Sequence, residues 1–149
     1  MTETPTIKKL KAEFTQTKLK KDRETLANQI AYEYRETTEN SKQALYWYKT
    51  QLNLSSSDLD RASAYRGLFE TLGYPKNGRF GEAQEIFKLQ EYQDKYVQFA
   101  NLTGNKTIMQ QMEKTIGGYY VFSGNYKKGQ PHIEKSINLA KQIYRVVLD

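Results

Sequence analysis

Small residues and aromatics recur at matched positions three times along this chain, and that recurrence limits its possible folds more than any other feature. The clearest copy is Lys114–Ile137, with Ile116, Gly117, Tyr120, Gly124, Tyr126, Gly129, Ile133 and Ser136 at helical spacing. A second copy, Arg61–Leu89, carries Gly67, Gly78, Phe80, Ala83 and Phe87; a first, Leu26–Leu54, carries Ile30, Ala31, Tyr34, Ala44, Tyr48 and Gln51. Each copy reads as two antiparallel helices. A small residue lets the pair cross closely, aromatics fill the space beside the crossing, and Gly124 supplies the positive φ that ends a helix. The first copy lacks a turn glycine and has Thr37-Thr38-Glu39-Asn40 in its place. The second is about four residues longer between its small positions, at Gly73-Tyr74-Pro75-Lys76-Asn77, which predicts a projecting loop. Such units cover one another's apolar faces by stacking, so the expectation is an all-α chain wound as a right-handed α-solenoid of about three helix pairs.

These positions resemble those of a tetratricopeptide repeat (TPR), and the resemblance implies a repeat scaffold that binds other proteins. The chain divides into a basic leader, residues 1–21, and repeats over 22–149, at about 22–56, 57–104 and 105–149. A frayed Met1–Ile7 is expected to precede a loosely docked helix over Lys8–Asp22. Then follow Asp22–Arg35, Ser41–Leu54, a helix capped by Ser57 or Asp58 and ending near Leu72, Arg79–Leu102, Thr107–Phe122, and a last helix from Pro131 onward.

Composition narrows the function classes. With 149 residues the chain fits one domain, and its twelve tyrosines and single Trp provide filling with polar tips. It has no cysteine, which removes thiol and disulfide chemistry. No apolar run reaches the length of a membrane span, and the first thirty residues show no signal-peptide pattern, so an intracellular protein is expected. One histidine, no phosphate-binding loop and no strand before Gly117, Gly118 and Gly124 leave nothing to assemble into a catalytic, metal or nucleotide site. The expectation is no enzyme, no metal and no cofactor, with His132 exposed in the first turn of the last helix.

A narrower resemblance covers nearly the whole chain. The leader Ile7–Asp22 (IKKLKAEFTQTKLKKD), the first helix pair and Tyr96–Phe122, with its Thr115-Ile116-Gly117, are similar to the N-terminal region of tonsoku-like proteins. In that family an Arg commonly follows Thr-Ile-Gly, where this chain has Gly118. The resemblance implies a nuclear scaffold for DNA replication and repair. Pins-like and kinesin-light-chain-like repeats share much of the pattern and imply a cytoplasmic adaptor instead.

In a solenoid of this type the first helices of the pairs line the groove. The register assigns to it Asn28, Tyr32 and Arg35; Arg61, Ala64, Leu68 and Leu72; and Gln111, Lys114 and Phe122. That mixed basic and apolar surface suits an acidic-hydrophobic peptide or helix of a protein partner. Ile133, Ile137, Ala140, Tyr144 and Val147 form a further apolar face on the last helix, for a homodimer or for further repeats. The net charge of +6 and pI near 9.3 raise a competing class. Lys8, Lys9, Lys11, Lys18, Lys20 and Lys21 in the leader could give salt-sensitive contact with nucleic acid.

Overall fold

The computed structural model describes residues 3–74 and 86–148, with side chains to Arg145. It is all-helical over that span: α1 (Pro5–Gln16), α2 (Lys20–Thr37), α3 (Ser41–Leu54), α4 (Asp58–Gly73), α5 (Leu89–Leu102), α6 (Lys106–Phe122) and α7 (Tyr126–Leu148). A 3₁₀ turn, Ile86–Lys88, leads into α5. Each helix packs on the next in sequence, α2 also touches α4, and α4 touches α6. The arrangement is solenoid-like. Side-chain bonds set the directions: Lys21 meets Asp60 and Asn28 meets Ser63, while Arg66 meets Gln111 and Tyr74 meets Thr115. Rising numbers therefore pair with rising numbers, so α2, α4 and α6 run parallel in one layer.

Local chemistry fixes the helix ends. Thr4, Asn40, Ser57 and Asn105 each accept an N–H from the first turn of α1, α3, α4 and α6. Gly124 takes φ 86° after α6, and Gly104 takes φ 63° between α5 and α6. In the turn without glycine, Glu39 itself adopts φ 55°.

The core runs through the stack as one cluster, from Ile7 and Ile30 through Tyr48, Leu68 and Phe69 to Tyr96, Met112 and Ile116. Each such side chain contributes roughly 1.5–3 kcal/mol on burial. Phe69 bridges the second and third pairs, its ring 6.4 Å from Tyr96 and 5.4 Å from Tyr119. Close crossings occur at the expected small residues. A Cβ on Gly117 would lie 2.7 Å from Ile133 Cδ1, and one on Gly129 would lie 3.1 Å from the Gly117 carbonyl oxygen. Gly67 differs from its counterpart, since it faces Tyr48 of the preceding helix rather than the helix that follows.

Several boundaries depart from the sequence expectation. The leader is no loose arm: Ile7 is fully buried, and Phe14 stands edge-on to Trp47 with centroids 5.0 Å apart. Arg23 locks the end of α1, donating to the carbonyls of Phe14 (2.7 Å) and Thr17 (3.1 Å). The last helix begins at Tyr126 rather than Pro131, because Asn125 accepts from Lys128 N–H and Gly129 N–H already closes a turn on the Asn125 carbonyl. Phe87, expected in a packing role, is 74% exposed. The projecting loop at Pro75–Asn77, the start of a helix at Arg79, and the roles of Gly78, Phe80 and Ala83 lie outside the described residues.

Candidate functional site

Along α4 and the Tyr74 that caps it, Leu59, Ser63, Arg66, Glu70 and Tyr74 recur every three or four positions and form one stripe. The stripe lies between α2 and α6 and floors two hollows, of about 310 Å³ and 600 Å³, that share Arg66 and Gln111. Together they make one groove. Its sizes fall within the range of ligand and peptide sites.

The first hollow has a polar floor built around Gln51, a residue of α3 that is 1% exposed. Gln51 Nε2 donates to Glu24 Oε1 (2.7 Å) and Ser63 Oγ (3.3 Å), while its carbonyl oxygen accepts from Asn28 Nδ2 (3.0 Å). Glu24 and Asp60, both buried, share one cation. Lys21 Nζ lies 2.6 Å from Asp60 and 3.5 Å from Glu24. Asp60, with Glu24, holds the Lys21 ammonium above the ordinary lysine range. Two carboxylates against one exposed ammonium leave this half of the groove acidic.

The second hollow is lined by Arg66 and Lys114 against the single carboxylate of Glu70. Arg66 donates from Nε to Glu70 (2.6 Å) and from Nη1 to the Gln111 side-chain oxygen (3.4 Å). Arg35 pairs with Glu36 at 3.1 Å and reaches Glu70 at 3.9 Å, and its Nη1 is buried without a hydrogen-bond partner among the described residues. Lys114 is exposed on the opposite wall. Tyr74 donates its hydroxyl to the Thr115 carbonyl and so ties α4 to α6. Burial pushes Tyr48, Tyr74 and Tyr96 up to about 12, so all three are neutral donors at physiological pH.

The expected groove residues divide by position. Asn28, Gln111 and Lys114 line the hollows, and Arg35 joins them through Glu70. Tyr32 is exposed on α2, its ring 5.7 Å from the Arg35 guanidinium; Phe122 is 70% exposed with Tyr74 6.4 Å away. Ala64, Leu68 and Leu72 do not face the groove. All three are fully buried core, and Arg61 turns toward α5, 5.8 Å over the Phe99 ring. The expected stripe lies on nearly the opposite side of α4 from the observed one, about two residues out of register. Ser63, Arg66 and Glu70 were the signal: polar residues at i, i+3 and i+7 on the side of α4 opposite its apolar arc.

On α7, Ile133 packs on Gly117, Ala140 is half-buried, and Ile137 and Tyr144 are exposed; the Val147 side chain lies outside the described residues. His132 is not exposed as expected. Its Nδ1 lies 2.6 Å from Glu113 Oε2, and its ring stacks on Tyr120. The leader lysines do not act as one unit. Lys11 bonds Glu3 and Tyr34, and Lys21 bonds Asp60, whereas Lys8, Lys9, Lys18 and Lys20 are exposed. No described helix is long and apolar enough to cross a membrane. No family model, no curated protein and no solved structure matches this chain.

Proposed function

We propose that this chain is a protein-binding scaffold of tetratricopeptide type that takes a segment of a protein partner into the groove of α2, α4 and α6. The observation that carries the proposal is the row of hydrogen-bonding side chains Asn28, Gln51, Ser63, Arg66 and Gln111 along a concave surface. Asn28 uses its amide nitrogen on Gln51 and Ser63, which leaves its carbonyl as an acceptor. Gln111 accepts from Arg66 with its carbonyl, which leaves its amide nitrogen as a donor. An acceptor and a donor facing across a groove match the alternating groups of an extended backbone. The segment would set a cationic side chain beside Glu24 and Asp60 and an acidic one toward Lys114. The proposal assigns the chain no catalysis. The similarity of its leader and of Tyr96–Phe122 to tonsoku-like proteins adds a nuclear setting in replication repair.

Photo-crosslinking tests it. A photoreactive residue at Ser63 should capture a partner from nuclear extract. The same residue at Tyr46, exposed on α3, should not. Asn28→Ala with Arg66→Ala should weaken capture roughly tenfold, two lost hydrogen bonds being worth about 0.5–1.5 kcal/mol each. Equal capture from Tyr46 would refute the groove. The four exposed lysines Lys8, Lys9, Lys18 and Lys20 favour one competing reading, association with nucleic acid. That reading requires binding to fall steeply with salt and to vanish when the four are changed to Gln.

A further inference from the structure

The outer face of α7 lies away from the groove and carries an apolar stripe of its own. Tyr126, Ile137 and Tyr144 are 67%, 49% and 67% exposed, and at about 100° per residue they fall within a narrow arc. Lys127, Lys141 and Arg145 border the stripe on one side. The opposite border is closed by α6, against which Gly129, Ser136 and His132 are packed. Over Tyr126–Leu148 the helix holds five basic residues and one acidic, Glu134. Glu134 accepts from Gln130, and none of the five cations has a carboxylate partner among the described residues.

We infer that this face is a second docking surface whose occupant is an acidic amphipathic helix of a protein partner. The stripe is as wide as one helix ridge and offers it Ile137 between two tyrosine rings, while the border supplies charges that acidic flanking residues would neutralise. A second copy of the chain fits worse. Helices pack 8–10 Å apart, within about one Debye length, so two copies would set Lys127, Lys141 and Arg145 against the same three cations. A lipid surface fits worse too, since α6 occupies much of the apolar arc that would have to enter a bilayer.

Two 20-residue peptides test the inference, both with Leu at i, i+3, i+4 and i+7, one filled with Glu and the other with Lys. The Glu peptide should bind the full chain roughly tenfold more tightly than the Lys peptide, through complementary charge, and should weaken as salt rises. Its NMR perturbations should centre on Ile137 and Tyr144 and spare Asn28 and Gln111. Lys141→Glu with Arg145→Glu should reverse the preference between peptides while leaving helicity unchanged. Three results would each overturn the inference: equal binding of both peptides, dimers in sedimentation that Ile137→Asp dissolves, or tighter binding to anionic vesicles than to the Glu peptide.

Discussion

Tyr48 lies across Gly67 so closely that a Cβ at Gly67 would come within 2.2 Å of the tyrosine ring. In an ordinary helix Gly→Ala is stabilising by about 1 kcal/mol. Here the added methyl meets a 3% exposed ring with no room to move, and overpacking of this kind costs roughly 1–3 kcal/mol. Gly67→Ala should therefore lower the urea midpoint, and Tyr48→Ala in the same chain should cancel that specific clash. A stabilising Gly67→Ala would show that α3 and α4 do not cross this closely.

The groove floor should separate buried from exposed polar contacts. Gln51→Leu keeps the volume but removes the buried bonds that Gln51 makes to Glu24 and Asn28, a loss of roughly 1–3 kcal/mol. Lys21→Ala removes a cation whose side chain is 66% exposed, so solvent screening holds its cost below about 1 kcal/mol. Chemical denaturation of both variants should rank them in that order. A larger effect from Lys21 would mean that the two carboxylates depend on it for burial.

Alkaline pH should attack the core. Tyr48, Tyr74 and Tyr96 have folded values near 12, above the ordinary phenol value of about 10. A raised value adds stability that is fully present below pH 10 and disappears as pH climbs through 12. Tyrosinate absorbance should accordingly rise in two stages, the later one coinciding with loss of helical circular dichroism. If all twelve tyrosines titrate together while the helices persist, these three rings are not sequestered as described.

Acid should act first at the N-terminus. Lys11, and then the Tyr34 hydroxyl, hydrogen-bond Glu3 and hold its carboxyl below the usual range. A lowered carboxyl value stabilises the fold above its unfolded value, near 4.3, and that contribution fades as pH falls through the folded value. Trp47 fluorescence, sensitive to Phe14 beside it, should report α1 loosening below about pH 4. Glu3→Gln should remove the acid-dependent step. An unchanged acid profile in that variant would assign the loosening to other groups.

How much of this was legible in the sequence depended on what each residue type demands of its neighbours. Gly117, Gly129 and Gly124 marked the α6–α7 crossing and turn in advance because only a very small side chain fits there or takes that φ. The groove face of α4 was missed because its apolar side was taken for it. Ala62, Ala64, Tyr65, Leu68, Phe69 and Leu72 fall within one arc of about 160°, which packs into the core, and the polar stripe opposite was the better guide. Gln51 looked like an ordinary packing position, since nothing local indicates that Glu24 and Asn28, more than twenty residues earlier, will converge on it. Pro131 suggested a helix start, yet the Asn125 cap upstream had already begun α7.

The side-by-side layer has a mechanical consequence. Both walls of the groove hang on α4: α2 through Asn28 and Ser63, α6 through Arg66–Gln111 and Tyr74–Thr115. The width of the opening is therefore set by how α2 and α6 sit against that central helix, and on the α6 side Tyr119 packs edge-on to Phe69 of α4 with centroids 5.4 Å apart. A segment bridging Asn28 to Gln111 would act as a brace, joining α2 to α6 directly where α4 alone now links them.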